Sequence, residues 1–471
     1  MFTLEEILQA TKGTLAHGGL STEFTGVSTD SRTTPAGGLF VALRGERFDG
    51  HDYVEQAAKS GAAGVVVERG RGGLSGAVTA VEVANTLTAL AEIASFHRGR
   101  FALPVVAVTG SVGKTTTKEF VAAALSPRHY VLKSRESFNN EIGLPLTLLQ
   151  LNEQHDVVVL ELAMRGEGQI RYLTEIASPT VGVITNIGES HLGILGSVQA
   201  IARAKGELVE NMAKEGVAVL NADDGWYTYL SELSRCPVVS FGCTDAADFS
   251  AREVRLSCVR EQTGALSVAT EFTVVGHASE TCSVRLPVGG HHYVSNALAA
   301  TAVAASTGMR LEEIAAGLGS IQPPKMRQQW LTAPDGYLIL DDAYNSSLAS
   351  LRAALRAIQW VSATGKRIAV LGDIKELGEQ ATEIHRQLGT ELHPCGIDVL
   401  IATGDFADSL ARGARTGGMS DENVLLFHST DAVTEAVRQR VKRDDVVLVK
   451  ASRAMHLERV VDGLMEGGDG H

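Results

Sequence analysis

Pro104–Val105–Val106–Ala107–Val108–Thr109–Gly110–Ser111–Val112–Gly113–Lys114–Thr115–Thr116 is the stretch on which the reading of the fold turns. Val105 to Val108 is a short apolar run rich in β-branched residues, and it predicts a strand buried on both faces. Gly110 and Gly113 free the backbone to wrap phosphate oxygens. The helix expected from about Thr115 to Leu125 aims its unpaired N–H groups at the same point. Lys114 supplies a charge for the β- and γ-phosphates, and the Thr115 hydroxyl can ligate Mg²⁺. The strict phosphate-loop spacing asks for glycine at position 108, where this chain has Val108. The strand–loop–helix context carries the assignment instead. Gly110, Ser111, Val112, Gly113, Lys114, Thr115 and Thr116 are therefore expected to hold ATP with its Mg²⁺.

Working outward, further apolar runs recur at Val157–Leu162, Val181–Thr185, Val217–Leu220 and Val238–Phe241, with helical stretches between them. Strands alternating with helices predict a parallel sheet covered on both faces, hence an α/β fold. From Phe249 to Val288 the pattern changes to period-2 alternation, which predicts a small antiparallel insert, followed by helices at Val294–Ser306 and Leu311–Leu318. The break at Pro323–Pro324 opens a second, smaller doubly wound unit with strands at Tyr337–Leu340, Arg367–Leu371, Val399–Ala402, Val424–Phe427 and Val446–Val449. Before the central unit, short strands (Phe40–Leu43, Ala63–Val67) and a helix (Ala84–Phe96) predict a small α/β domain. The expected division is residues 1–98, 99–320 and 321–471.

The totals exclude several classes. A formal charge of −13 over 471 residues argues against a nucleic-acid partner, which needs a basic surface. No apolar run approaches the roughly 20 residues a membrane helix needs. The first residues carry Glu5 and Glu6 and no apolar leader core, and the five cysteines form no CxxC pair. Reduced thiols and a soluble cytoplasmic protein without membrane insertion are expected.

A phosphate loop does not say which reaction it serves. Glu161 closes a strand where doubly wound sheets place ligands, so it is either a Mg²⁺ ligand or a solvated strand-end acid. His191 follows Asn186–Ile187–Gly188–Glu189–Ser190, and a single histidine there is more often structural than a ligand. Lys205, in Ala202–Arg203–Ala204–Lys205–Gly206–Glu207, reads by itself as an exposed helix lysine.

Taken in order, these pieces resemble the Mur ligase family over nearly the whole chain, and within it the branch that adds a dipeptide. Ser28–Thr29–Asp30–Ser31–Arg32, Leu39–Phe40–Val41–Ala42–Leu43–Arg44–Gly45 and Asp49–Gly50–His51 look like its UDP-sugar-binding segment. Phe138–Asn139–Asn140–Glu141–Ile142–Gly143–Leu144–Pro145 is similar to the segment of the dipeptide-adding members. Thr185 to Leu192, with Ala204–Lys205, matches the family's metal region. Lys325–Met326–Arg327, Leu340 to Asn345, Val370 to Asp373 with Glu376 to Gly378, and Lys450–Ala451–Ser452–Arg453 match its third-domain segments.

The resemblance implies an ATP-dependent amide ligase, acting as a monomer on small-molecule substrates: D-alanyl-D-alanine and a UDP-N-acetylmuramoyl tripeptide. The alternative is the ligase that adds the third residue to the dipeptide. It further implies Mg²⁺ on Thr115, Glu161, His191 and a carbamylated Lys205, with Lys114, Lys205, His191 and Arg327 catalytic. Asn296, Arg327 and Asp342 would contact the nucleotide. Ser31, Arg32, Asp49, Asn139, Asn140, Glu141, Tyr344, Asn345, Lys450, Ser452 and Arg453 would contact the other substrates. Three departures stand out: Leu162–Ala163 for Met-Gly, Ala451 for a glycine, and Ser346–Ser347–Leu348 for Ala-Asn-Pro. The last puts the rigidity of the turn after Asn345 in question.

Overall fold

The computed structural model describes residues 1–19, 22–45, 47–71, 78–135, 138–190, 192–260, 266–322, 325–361, 365–375 and 377–466. His191, Glu376 and the Pro323–Pro324 break lie outside the described residues.

The first region is built on a five-stranded sheet in the order Thr14–His17, Thr79–Val83, Gly64–Glu68, Leu39–Val41, Val27–Ser28. Its last helix, α1 (Thr86–Gly99), is capped by Asn85, whose Oδ1 accepts from the Thr88 amide at 2.9 Å. Leu90 and Ile93 of α1 join the core of the first region, while Ala91 and Ala94 join that of the second. One helix thus belongs to two cores. Arg98, at the expected boundary, is buried rather than free in a linker. It donates to the carbonyl oxygens of Phe101 (2.7 Å) and Ala177 (3.2 Å).

The central sheet has nine strands. The run Val105–Val108 forms β1 (Val105–Thr109), flanked by β2 (Val157–Glu161) and β3 (Val181–Ile184) in parallel register. Val106 and Val108 point into one core and Val105 and Ala107 into another, which is why the run is apolar throughout rather than alternating. The helix after the glycine loop, α2 (Lys114–Leu125), packs in the first core with α4 (His291–Ser306), and α3 (Val198–Asn211) packs in the second. β1 is the point where the chain, having laid strands on one side, crosses to the other, and ligands gather outside the carboxyl end of such a strand.

The period-2 segment is not a separate insert. Its strands Phe249–Arg260, Leu266–Val275 and Thr281–Leu286 continue the central sheet, joined through Phe241↔Phe249 to the parallel part. Phe249, Phe272, Val274 and Val284 face the same core as α2 and α4. Burying that face against existing helices is what recruits the antiparallel strands to the edge of the parallel sheet.

The third region carries five parallel strands in the order β4 (Leu338–Asp342), β6 (Val446–Lys450), β5 (Arg367–Leu371), Val399–Thr403, Val424–Phe427. An antiparallel strand, Gln329–Thr332, precedes them and pairs with β4. After β4 the chain turns into α5 (Leu348–Trp360) through a capping box. The Ser347 hydroxyl accepts from the Ser350 amide at 3.3 Å, and the Ser350 hydroxyl accepts from the Ser347 amide at 2.9 Å. Lys450 holds the carbonyl of Asn345 at 3.0 Å. The turn after Asn345 is thereby fixed by hydrogen bonds.

Candidate active site

Strand β1 delivers the backbone into a loop that only glycine allows at two points. At Gly110, φ is +146° and an added Cβ would stand 1.9 Å from the Thr185 hydroxyl oxygen. At Gly113, which caps α2, φ is +86°. The loop's apex is tied to the end of β3: the Thr185 hydroxyl donates to the Val112 carbonyl at 2.7 Å. The Asn186 side chain accepts from the Val112 amide (3.0 Å) and donates to the Val112 carbonyl (2.9 Å). The Ser111 hydroxyl completes the clasp with the backbone of Gly188. Thr185 and Asn186 hold the loop's shape; in the sequence they read only as part of a matched segment.

Two lysines converge on one oxygen of that loop. Lys114 and Lys205 each donate to the Gly110 carbonyl at 2.8 Å. Lys205 comes from α3 and is 1% exposed. Burial, and then the charge of Lys114, push its ammonium well below the usual lysine range. The Lys114 pKa is also lowered by burial; Glu161 works against this and Arg327 with it. What the sequence offered as an exposed lysine is a desolvated amine behind the phosphate loop.

Glu161 closes β2 facing this loop and is 2% exposed. Its Oε1 accepts from the Asn139 side chain at 2.8 Å, while its Oε2 is buried with no partner among the described residues. The carboxylate's backbone is fixed through Ser134, whose hydroxyl accepts from the Glu161 amide and whose carbonyl accepts from buried Lys118 at 2.7 Å. The Ser190 hydroxyl is likewise buried with no partner among the described residues.

The third region closes the cleft from the other side. Asp342, at the end of β4, accepts from Lys450 at 2.6 Å and from the Gln328 amide at 3.2 Å. Burial raises its pKa, with Lys450 opposing. Lys450 is 1% exposed and divides its ammonium between Asp342 and the Asn345 carbonyl. Arg327 stacks its guanidinium over the Tyr344 ring at 4.1 Å, and Arg453 approaches the same ring at 5.6 Å. His292, at the start of α4, is pushed down to about 3 by burial and by the positive charge of Arg356, so it stands neutral.

A cavity of about 390 Å³ lies between these walls. It brings together Ser111, Val112, Gly113, Lys114, Thr115, Thr116, Asn139, Glu161, Asn296, Arg327, Asp342, Tyr344, Asn345 and Lys450 from widely separated parts of the sequence. Cations line it from both sides, Lys114 at the glycine loop and Arg327, Lys375 and Lys450 from the third region, as a polyphosphate requires.

Comparison with known families fixes what kind of protein builds such a cleft. The Mur ligase middle domain matches residues 108–304, the Mur ligase glutamate ligase domain residues 326–453, and the Mur ligase family catalytic domain residues 23–98.

The chain belongs to the Mur ligase family.

Among its relatives, the UDP-N-acetylmuramoyl-tripeptide–D-alanyl-D-alanine ligase of Bacillus subtilis (strain 168) is 35% identical over 465 residues, covering 98% of each chain. The crystal structure of MurF from Acinetobacter baumannii superposes with a TM-score of 0.88 at 32% identity, covering 99% of each chain. MurF ligase from Thermotoga maritima, solved in complex with ADP, gives a TM-score of 0.81 at 29% identity, covering 94% of this chain and 97% of that one.

Within this Mur ligase the residues fit a Mg²⁺ ion. Glu161, whose Oε2 is buried with no partner among the described residues, lines the same cavity as Thr115, and one carboxylate plus a hydroxyl is the sparse donor set of an ion that takes most of its oxygens from phosphate and water. Other expected residues stand outside the cavity. The Asn140 side chain is spent on the turn before the helix Gly143–Leu148, accepting from the Gly143 amide at 2.9 Å. Ser452 accepts from the Lys375 amide at 2.9 Å, and Arg453 pairs with Glu458 at 3.0 Å. In the first region, Asp49 bonds the amide and ring of His51, Arg32 grips Asp30 at 2.7 Å while exposed, and Ser31 is buried. Glu141 lines no part of the cavity either.

Proposed function

We propose that this chain joins D-alanyl-D-alanine to a UDP-N-acetylmuramoyl tripeptide at the expense of ATP, completing a peptidoglycan precursor. The observation that carries this reading is 35% identity over nearly the full length to a ligase of that name, combined with a cleft lined by a glycine loop and cations between the central and third regions.

The terminal carboxylate of the tripeptide attacks the γ-phosphorus of ATP, and the bond to the ADP oxygen breaks. The free amine of D-alanyl-D-alanine then attacks the acyl-phosphate carbonyl, loses a proton and expels phosphate. A carboxylate is a poor acceptor for an amine, and phosphorylation gives it a leaving group. Lys114 and Arg327 neutralise charge spread over the transferred phosphoryl oxygens, and the closed cleft holds the reactants in line. Thr115 and Glu161, with His191, would hold Mg²⁺, which when bound supplies further neutralisation at the phosphates. Asn296 and Asp342 would orient the nucleoside. Ser31, Arg32 and the loop shaped by Asp49 would take the UDP-sugar. Lys450 serves as a positioning residue for Asp342 and Asn345, and Tyr344 would contact the incoming dipeptide, with Ser452 and Arg453 beyond the cavity wall as its further expected contacts.

Lys205 is carbamylated in this reading. The neutral amine is the form that adds CO₂, giving a carbamate and a proton, and burial favours that form. A carbamate would also convert the repulsion between Lys205 and Lys114 into attraction. The nucleotide-linked substrates fit a cytoplasmic monomer; among the described residues, no helix is long and apolar enough to cross a membrane.

The test is phosphate release from ATP by purified protein with Mg²⁺ and UDP-muramoyl tripeptide, with and without D-alanyl-D-alanine. Release that depends on both, with a UDP-muramoyl pentapeptide formed, is expected. Turnover on a UDP-muramoyl dipeptide with a single amino acid would sink the substrate assignment.

A further inference from the structure

Arg327 is one of the cations that the third region brings to the cleft, and it stands on an unusual piece of backbone. Its neighbours Met326 (φ +59°) and Gln328 (φ +51°) are both left-handed, a conformation non-glycine residues seldom adopt. Several hydrogen bonds hold this segment, among them a long one of 3.4 Å from the Tyr293 hydroxyl to the Gln328 carbonyl. The Tyr344 amide donates to the Met326 carbonyl at 3.1 Å, the Gln328 amide to Asp342 at 3.2 Å, and the Tyr293 hydroxyl to the Arg327 carbonyl at 3.0 Å. Tyr344 and Asp342 belong to the third region. Tyr293 belongs to α4 of the central one.

Tyr293 is itself immobilised. It is 1% exposed, and its ring stacks on Phe120 with centroids 5.7 Å apart and planes 6° from parallel. Phe120 is part of α2, the helix whose N terminus is the phosphate loop. A rigid path therefore runs from the loop through Phe120 and Tyr293 to the carbonyl of Arg327. We propose that Tyr293 is a positioning residue: its hydroxyl registers Arg327 against the phosphate loop and so sets where the guanidinium stands during phosphoryl transfer. This rests on the phosphate-directed role of Arg327 in the reading above.

Tyr293→Phe removes only the hydroxyl and keeps the stack. With ATP, UDP-muramoyl tripeptide and D-alanyl-D-alanine, kcat is expected to fall about tenfold while KM for ATP changes by less than about threefold. In an Arg327→Ala background the same substitution should change kcat by less than about twofold, because the residue it acts through is gone. A raised KM for ATP at constant kcat would make Tyr293 a nucleotide contact and overturn the proposal; so would an equal loss in both backgrounds. Hydrogen exchange without substrates gives an independent reading: the peptide spanning 325–328 should exchange faster in Tyr293→Phe, and residues 114–125 should not. Unchanged exchange at 325–328 would also overturn it. Should Tyr293→Phe not fold, Gln328→Gly loosens the same segment, and its loss of kcat should likewise vanish in the Arg327→Ala background; undiminished kcat rejects the proposal. If the wild type does not turn over with D-alanyl-D-alanine, the functional reading fails while the exchange measurement still decides the hold on Arg327.

Discussion

Asp341 and Asp342 end the same strand, yet they point to opposite faces of the sheet and meet different chemistry. Asp342 enters the cleft and finds Lys450. Asp341, 4% exposed, has the Ala343 amide at 3.1 Å and the charges of Asp342, Asp462 and Glu458 around it. Burial first, and these charges after it, push its carboxyl up to about 6. With the folded value above the unfolded one, the folded chain keeps this proton longer. Stability therefore falls as pH rises through the window from about 4 to about 6, and the full cost persists above it. Asp341→Asn is expected to raise stability near neutral pH by on the order of 1–3 kcal/mol and to do little near pH 4. Urea titrations of both proteins at the two pH values check this; a gain independent of pH would reject it. At this scale the sequence was readable where chemistry dictates residue type, as at Gly110, Gly113 and Lys114. It was not readable where burial creates the property. Lys205 becomes a perturbed amine only once α3 packs behind the loop, and nothing in the periodicity of α4 separates Tyr293 from any core aromatic.

Elements were legible in proportion to how far one local pattern decides them. The apolar runs of the two parallel sheets fall on observed strands to within a residue or so: Val157–Leu162 became Val157–Glu161, and Arg367–Leu371 and Val424–Phe427 coincide. The edge strand Gln329–Thr332 carries no comparable run, being half-buried along its length, and it was missed. The antiparallel strands were legible as strands but not as members of the central sheet, because partner choice is set by tertiary burial. The start of α5 is a further case: a serine pair replaces the expected rigid turn. Ser347→Ala removes the hydroxyl cap and should cost about 1 kcal/mol. Thermal unfolding measures the loss, and exchange at the first turn of α5 locates it; an unchanged melting temperature would mean the turn is held by Lys450 alone.

For the whole molecule, the decisive fact is that the cleft has walls from two regions. Phosphate loop and Glu161 lie on one side, Arg327, Asp342, Tyr344 and Asn345 on the other. Reactants the size of a nucleotide and a UDP-sugar peptide enter only if those walls separate, so turnover needs an opening and a closing motion. Small-angle scattering should report a smaller radius of gyration with a non-hydrolysable ATP analogue than without it. Identical curves would argue against nucleotide-driven closure.

The carbonyl of Gly110 shared by two lysines has a thermochemical consequence. Burial has already weakened the hold of Lys114 on its proton, so on the alkaline side it gives that proton up earlier than a free lysine does. A triphosphate arriving against Lys114 restores the preference for the ammonium, and the proton must come from the surrounding solution. Nucleotide association then consumes buffer acid, and the heat recorded in a titration calorimeter will vary with the ionisation enthalpy of whichever buffer supplies it.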